Sequence, residues 1–307
     1  MDKPLSQGKA RYRGRFAPSP TGPLHFGSLV AAVGSYLEAK TRGGDWLVRI
    51  EDLDPPRAMP GAADDILRAL EACGMRWDGP VVHQSTRNDA YHAALHELRQ
   101  RDLVYPCACS RREIADSGIA GVEGYVYAGT CRPGLPPGKA ARALRIDTRG
   151  AVIEFDDVLQ GRITQNLETE IGDFVLYRHD RVFAYQLAVI IDDAEQGITD
   201  VVRGADLLDS TPRQIYLQRL LGLQVPRYAH LPVAIDEQGE KLSKQTLAAP
   251  IDASRPLPLL AEVLRFLGQQ PAPGLASAGI GEFWQSALAN WRVENVPRVR
   301  KLVSGLR

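Results

Sequence analysis

The feature that most constrains this chain is a loop near its start. From Arg11 it reads RYRGRFAPSPTGPLHFGS, a strand-like opening that breaks into Pro, Gly, Ser and Thr. From Gly27 onward, a stretch containing LVAAVGSYLEAKTRGG reads as a buried helix ended by Gly43 and Gly44. WLVRIED, Trp46 to Asp52, then reads as a strand. Strand, loop, helix and strand in that order predict a parallel α/β unit that binds ligands at the strands' C-terminal edge. The loop suits phosphate. Gly27 permits close backbone approach, and the helix that follows aims free N–H groups and a positive dipole end at the loop. His25 sits where its imidazole can donate to a triphosphate. A lone His before a helix is more often a capping or packing residue, so the loop by itself leaves both readings open.

The rest of the chain extends the pattern. Residues 61–74 predict a helix with Ile66, Leu67, Leu70 and Cys73 on one face and Gly74 as the stop. Residues 88–103 repeat this with Tyr91, Leu95 and Leu98. Cys107 to about Gly138 is rich in Gly, Pro and Tyr and reads as an insertion. ARALRIDT and AVIEFDDVLQGRITQN read as short strands. Residues 182–191, VFAYQLAVII, predict a strand covered on both faces. In DSTPRQIYLQRLLG, Thr211 is the expected N-cap, Pro212 the first helical residue, and Gly222 the stop. A strand-like LPVAI, a DEQGEK turn and the KLSKQ loop follow, and the chain from about Pro250 reads as mainly helical.

Composition narrows the function classes. Lys plus Arg and Asp plus Glu both number 37, so the basic excess typical of a nucleic-acid binder is absent and any RNA contact must be a local patch. The basic segment RVENVPRVRKLVSGLR is a candidate for that patch, or simply a solvated helix end. No signal-peptide-like stretch and no long apolar run is present, so a soluble cytoplasmic protein without membrane association is expected. The four cysteines are Cys73, Cys107, Cys109 and Cys131. In a chain of this kind the clustered ones point to a metal rather than to disulfides.

KLSKQ, Lys241 to Gln245, is weak in isolation, because Lys-Ser-Lys triplets usually face water. Together with PSPTGPLHFGS, and with an α/β pattern between them, it resembles the class I aminoacyl-tRNA synthetases. HFGS stands where that family has His-Ile-Gly-His, and KLSKQ where it has Lys-Met-Ser-Lys-Ser. Ser28 and Gln245 depart from those motifs. RFAPSPTGPLHFG and VVRGADLL are similar to the glutamyl subgroup, and the likeness spans roughly 11–250. It implies a Rossmann-type parallel-sheet catalytic domain with a zinc-containing insertion and a short, mainly helical C-terminal part. The expected division is 11–104 and 171–225 for the two catalytic halves, 105–170 for the insertion, and 226–307 for the KLSKQ loop and helical subdomain.

The resemblance also assigns roles. His25, Gly27 and Lys244 are the expected catalytic groups, and Pro18, His25, Gly27, Ser28, Lys241 and Lys244 the ATP-binding ones. Magnesium would accompany ATP and keep most of its waters. A glutamate pocket needs guanidinium for the side-chain carboxylate and a carboxylate for the ammonium. Arg15, Phe16, Ala17, Pro18, Ser19, Glu51, Tyr185 and Arg203 match the positions the glutamyl family uses. Without the resemblance, an Arg–Glu pair holding the sheet edge is the plainer reading.

Cys107, Cys109 and Cys131 supply three thiolates, and four-coordinate zinc wants a fourth ligand. Cys73 reads as packing; His83 and His92 are distant in sequence but not excluded. YPCACSRRE with GYVYAGTCR closely resembles the glutamyl-Q tRNA(Asp) synthetases, in which a tyrosine completes the set. That likeness assigns Tyr127, with Tyr125 as its alternative, and one structural zinc. It further implies ATP and L-glutamate as substrates, with queuosine-bearing tRNA(Asp) as acceptor and glutamate activated without tRNA. The stretch from Gln245 to Arg307 is too short for the anticodon-binding region of a standard glutamyl-tRNA synthetase. Two other expectations compete: a shortened synthetase charging a tRNA 3′ end, and a synthetase-like binding protein without activity. A monomer is expected.

Overall fold

A computed structural model describes residues 11–116, 120–122, 124–241, 251–252 and 254–304. Lys244 and Gln245 lie outside them. The opening unit forms as the sequence predicts. β1 (Arg13–Phe16), α1 (Phe26–Thr41) and β2 (Asp45–Ile50) make a parallel β-α-β unit, extended by α2 (Ala62–Ala72) and β3 (Val82–His83). α3 (Asn88–Gln100) leads into β4 (Val104–Cys107), α4 (Arg111–Asp116) and a small ribbon, β5 (Ala120–Gly121) with β6 (Gly124–Tyr125). β7 (Ala143–Ile146), the hairpin β8 (Val152–Asp157) and β9 (Gly161–Asn166), α5 (Leu167–Glu170) and β10 (Val175–Arg178) follow. β7 lies antiparallel between β4 and β10.

The chain then returns to the parallel layer through α6 (Tyr185–Glu195), β11 (Asp200–Gly204), α7 (Thr211–Leu220) and β12 (Arg227–Leu231). The Thr199 amide donates to the Arg13 carbonyl at 2.9 Å and sets β11 beside β1. β1 therefore has β2 on one side and β11 on the other, and its C-terminal loop opens at the centre of the sheet. β13 (Val233–Ile235), α8 (Pro256–Phe266), α9 (Ile280–Asn290) and β14 (Lys301–Val303) complete the described chain.

α1 is the hub of the larger core. Leu29, Val33 and Leu37 pack with Trp46 and Val48 of β2 and with Leu260, Leu264 and Phe283 of the C-terminal helices. Each such side chain contributes about 1.5–3 kcal/mol on burial. Gly34 packs tightly on β12: a Cβ there would stand 2.5 Å from Leu231 Cδ1, so the buried Leu231 side chain would have to move. Two indoles fasten the C-terminal helices. Trp284 Nε1 donates to the Cys73 carbonyl at 2.9 Å and Trp291 Nε1 to Glu38 Oε1 at 2.7 Å.

Three expectations fail. The apolar run 182–191 is not a strand: from Tyr185 it is helix α6, with Leu187 to Asp193 all buried. A helix covered on every side loses the amphipathic period, so its sequence is indistinguishable from that of a buried strand. Thr211 is not an N-cap. Ser210 holds that position, and a 3-10 turn over Ala205–Ser210 runs straight into α7, with Pro212 in its first turn. The basic C-terminal segment is not a helix end: it forms a 3-10 turn over Val293–Asn295 and then β14, parallel to β13.

Candidate active site and metal cluster

A cleft of about 400 Å³ opens over the C-terminal ends of β1 and β11. Arg15, Phe16, Ala17, Pro18 and Ser19 line one wall, and His25, Gly27 and Ser28 at the start of α1 line another. Tyr185, Arg203 and Lys241 complete it. The early loop and the first residue of KLSKQ thus face one space. Lys241 Nζ pairs with Asp206 Oδ2 at 2.7 Å. Glu51 follows β2 just behind this wall; its amide donates to the Pro18 carbonyl at 2.9 Å.

His25 fulfils the plainer expectation. It is the N-cap of α1, its Nδ1 accepting from the Ser28 amide at 3.3 Å and its Nε2 standing 2.9 Å from Ser28 Oγ. That cap also fixes the ring at the mouth of the helix, so capping and ligand contact are compatible. Ser28, where the family motif has a second histidine, thereby holds the first one.

Arg203 is held from every side. Its Nε donates to His230 Nε2 at 3.0 Å, Nη1 to Tyr185 Oη at 3.1 Å, and Nη2 to Thr211 Oγ1 and Gln214 Oε1, both at 2.8 Å. His230 in turn contacts Asp157 through Nδ1 at 2.6 Å. Burial, together with the neighbouring Arg203 charge, pushes the His230 imidazole down to about 4. A neutral ring with its proton on Nδ1 donates to Asp157 and accepts from Arg203, which matches both distances. The guanidinium keeps one Nη1 hydrogen for a ligand.

Arg15 is equally constrained. It is 3% exposed, and its Nε and Nη2 reach the two oxygens of Asp193 at 3.1 and 3.3 Å. Arg49 Nη2 meets the same Asp193 Oδ1 at 2.8 Å and Glu51 Oε1 at 3.5 Å. Burial raises the Asp193 carboxyl, but the two guanidinium groups outweigh it, and the group sits below the usual carboxylate range. Glu51 goes the other way: burial pushes it up to about 7 against the pull of Arg49 and Arg15. The plain alternative of an Arg–Glu sheet-edge pair is thus realised by Arg49, and Arg15 pairs with an aspartate. Arg49, Asp157, Asp193, Gln214 and His230 were missed by sequence reasoning. The available signal was charge inside apolar runs, as in WLVRI and in the Asp192–Asp193 pair after AVII.

The cysteine cluster closes as expected. The sulfurs of Cys107, Cys109 and Cys131 lie within 4.8 Å of one another, with Cys109 and Cys131 at 3.6 Å. Tyr127 Oη is 3.2 Å from Cys107 Sγ and 3.6 Å from Cys109 Sγ. Tetrahedral zinc with Zn–S of about 2.3 Å spaces two sulfurs about 3.8 Å apart, and a sulfur and an oxygen about 3.5 Å apart. The Cys109–Cys131, Tyr127–Cys107 and Tyr127–Cys109 separations are compatible with such an ion. Tyr125 is 55% exposed and takes no part. His83 lies 3.5 Å from Asp52, and His92 packs on Phe183, so neither completes the set. Cys73 is buried in the α1 core.

No described helix is long and apolar enough to cross a membrane. The sequence matches the family of class I tRNA synthetases (E and Q), catalytic domain, over residues 11–122 and 136–258. It is 60% identical to a glutamyl-Q tRNA(Asp) synthetase of Dechloromonas aromatica, over 94% of this chain and 96% of that protein. It is 57% identical to one of Aromatoleum aromaticum, over 94% and 91%. The fold is similar to a glutamate tRNA ligase from Elizabethkingia meningosepticum, solved in complex with its amino acid. That match has a TM-score of 0.78 and 27% identity, and covers 96% of this chain and 67% of the ligase. The chain belongs to the class I tRNA synthetases, in the glutamyl-Q tRNA(Asp) synthetase branch, and is a ligase.

Proposed function

We propose that the protein activates L-glutamate with ATP as glutamyl-adenylate, without needing tRNA, and transfers the glutamate to the queuosine base in the anticodon loop of tRNA(Asp). The observation that carries this is one cleft with two locked guanidinium groups at one end and a helix N-terminus at the other. Carboxylate suits the first and phosphate the second.

In this reading the α-carboxylate of glutamate attacks the α-phosphorus of ATP, a P–O bond breaks, and pyrophosphate leaves. The catalytic need is positioning and preorganised positive charge, not a covalent nucleophile. His25 and the backbone at Gly27 face the phosphates, with Pro18, Ser28 and Lys241 beside them; Lys244, outside the described residues, is assigned to the same work by the family resemblance alone. Magnesium enters with ATP. Arg15 and Arg203 hold the substrate carboxylates with Phe16, Ala17, Ser19 and Tyr185 around them, and Glu51 receives the ammonium. A cyclopentenediol hydroxyl of queuosine then attacks the acyl carbonyl and AMP departs. Zinc held by Cys107, Cys109, Tyr127 and Cys131 would supply folding energy to the insertion, because a closed four-ligand set leaves no open position.

The test is labelled glutamate transfer onto tRNA(Asp) with and without queuosine, each also prepared without its terminal adenosine. Label that requires queuosine and survives loss of the 3′ end supports the proposal. Label that ignores queuosine, or vanishes with the terminal adenosine, replaces it with 3′-end charging. A complete lack of glutamate-dependent ATP–pyrophosphate exchange would revive the inactive binding protein.

A further inference from the structure

We propose that Arg145 is the counter-charge of the zinc cluster: its guanidinium, lying over the Tyr127 ring, offsets the negative charge that three thiolates and a phenolate leave on a bound zinc. This rests on the zinc reading above and adds a positioning residue to it.

The need for such a group follows from charge. Three thiolates and a phenolate outweigh a divalent zinc and leave the loaded cluster at about −2. Cys107, Tyr127 and Cys131 are all buried. An anion of that size held out of water is costly unless a cation or hydrogen-bond donors stand beside it. Two basic groups of the insertion are committed elsewhere. Arg132, next to Cys131, grips the Asp173 carboxylate at 2.6 and 2.7 Å. Lys139 pairs with Glu113 at 2.7 Å on the surface.

Arg145 is placed for the task by the sheet. On β7 it pairs with Tyr105 of β4, two residues from the partner of Cys107. It is 9% exposed, and its guanidinium carbon lies 4.1 Å from the centroid of the Tyr127 ring. Its Nη1 donates to the Asp173 backbone carbonyl at 2.6 Å, which fixes the group without neutralising it. Among the described residues no carboxylate forms an ion pair with it; that of Asp173 is taken by Arg132 and by Thr148. The anion that Arg145 faces is therefore the cluster.

The contact also bears on the choice of tyrosine. A ring face attracts a cation, and does so more strongly when its oxygen is anionic. A second group favours charge on the same oxygen: the Cys131 amide donates to Tyr127 Oη at 3.0 Å. Guanidinium on the face and N–H at the oxygen together stabilise a phenolate, which explains how an uncommon ligand serves here.

The experiment measures zinc affinity of the purified, zinc-loaded protein by competition with a chromophoric chelator. Wild type is compared with R145M, R145K, Y127H and Y127H/R145M. R145M should raise the zinc Kd on the order of 10- to 100-fold, the usual cost of losing a group behind a metal ligand. R145K keeps the charge and should stay within about threefold of wild type. Y127H offers a neutral ring in place of the phenolate, so adding R145M to it should cost about threefold or less. A residue that only packs would cost the same in both backgrounds. Wild-type affinity in R145M, or equal losses with and without Y127H, would overturn the assignment. R145K keeps the test open if R145M does not fold: a loss in R145K as large as that expected of R145M overturns it too. Wild-type protein that holds no zinc would remove the zinc reading itself, whereas tight zinc binding indifferent to Arg145 would remove this proposal alone.

Discussion

The proposed amino-acid pocket and the cysteine cluster both gather polar side chains out of water, by opposite routes. Cys107, Cys109, Tyr127 and Cys131 come from one short stretch, and their partners are one another. Arg15 and Arg49 depend instead on Asp193, far along the chain, and Arg203 depends on His230 and Asp157 from two other elements. A metal imposes geometry on nearby ligands, so local sequence suffices. The guanidinium groups proposed to hold substrate are positioned by distant elements of the fold. The pocket is therefore coupled to global stability and the cluster to the insertion alone.

The most severe break of that contrast is D193A. It leaves Arg15 and Arg49 buried without their shared carboxylate, and removing one partner of a buried ion pair costs about 3–5 kcal/mol. The urea midpoint of the whole protein should fall accordingly, with glutamate activation lost alongside. A D193A protein with unchanged midpoint would show that the arginines find other partners and that the pocket is not wired into the fold.

C131S probes the other region. It should abolish binding of the proposed zinc and, through the insertion, reduce transfer to tRNA on the order of 100-fold, because structural zinc binding is folding free energy for the segment that holds it. Glutamate-dependent ATP–pyrophosphate exchange should stay near wild type. Metal analysis and the two activities, measured on one preparation, separate the outcomes. Equal loss of both activities would make the cluster as global as the pocket.

The same contrast explains what the sequence disclosed. The opening strand, loop and helix were legible because Pro, Gly and the helix stop at Gly43 act locally. The cysteine spacing was legible for the same reason, although Tyr127 came only from resemblance, since phenolate is an uncommon ligand. Helix α6 was misread because burial on all sides, including Asp192 and Asp193, erased its period. The capping of His25 by Ser28 agreed with the plainer reading. Arg49, Asp157 and His230 were invisible as a site, because nothing local in WLVRI or RYAHL says which distant group each will meet.

Glu51 sharpens the comparison at its smallest scale, because it sits between the ion network and the substrate. Burial holds its folded-state value at about 7, above the ordinary carboxylate range, with its side chain 10% exposed. Between that ordinary range and pH 7 the unfolded chain has already released this proton and the folded chain has not, so the group subtracts stability as pH rises through that window, and the loss levels off above about 7. Ligand binding runs the other way. In the proposed reaction a charged Glu51 is the form that receives the glutamate ammonium, so KM for glutamate should fall about tenfold between about pH 6 and 8, following a single group near 7. E51Q should flatten that dependence while raising KM throughout. A wild-type KM independent of pH over this range would place the ammonium on another group and leave Glu51 as part of the Arg49 scaffold. The carboxylate would then belong to the ion network of Arg49, Arg15 and Asp193.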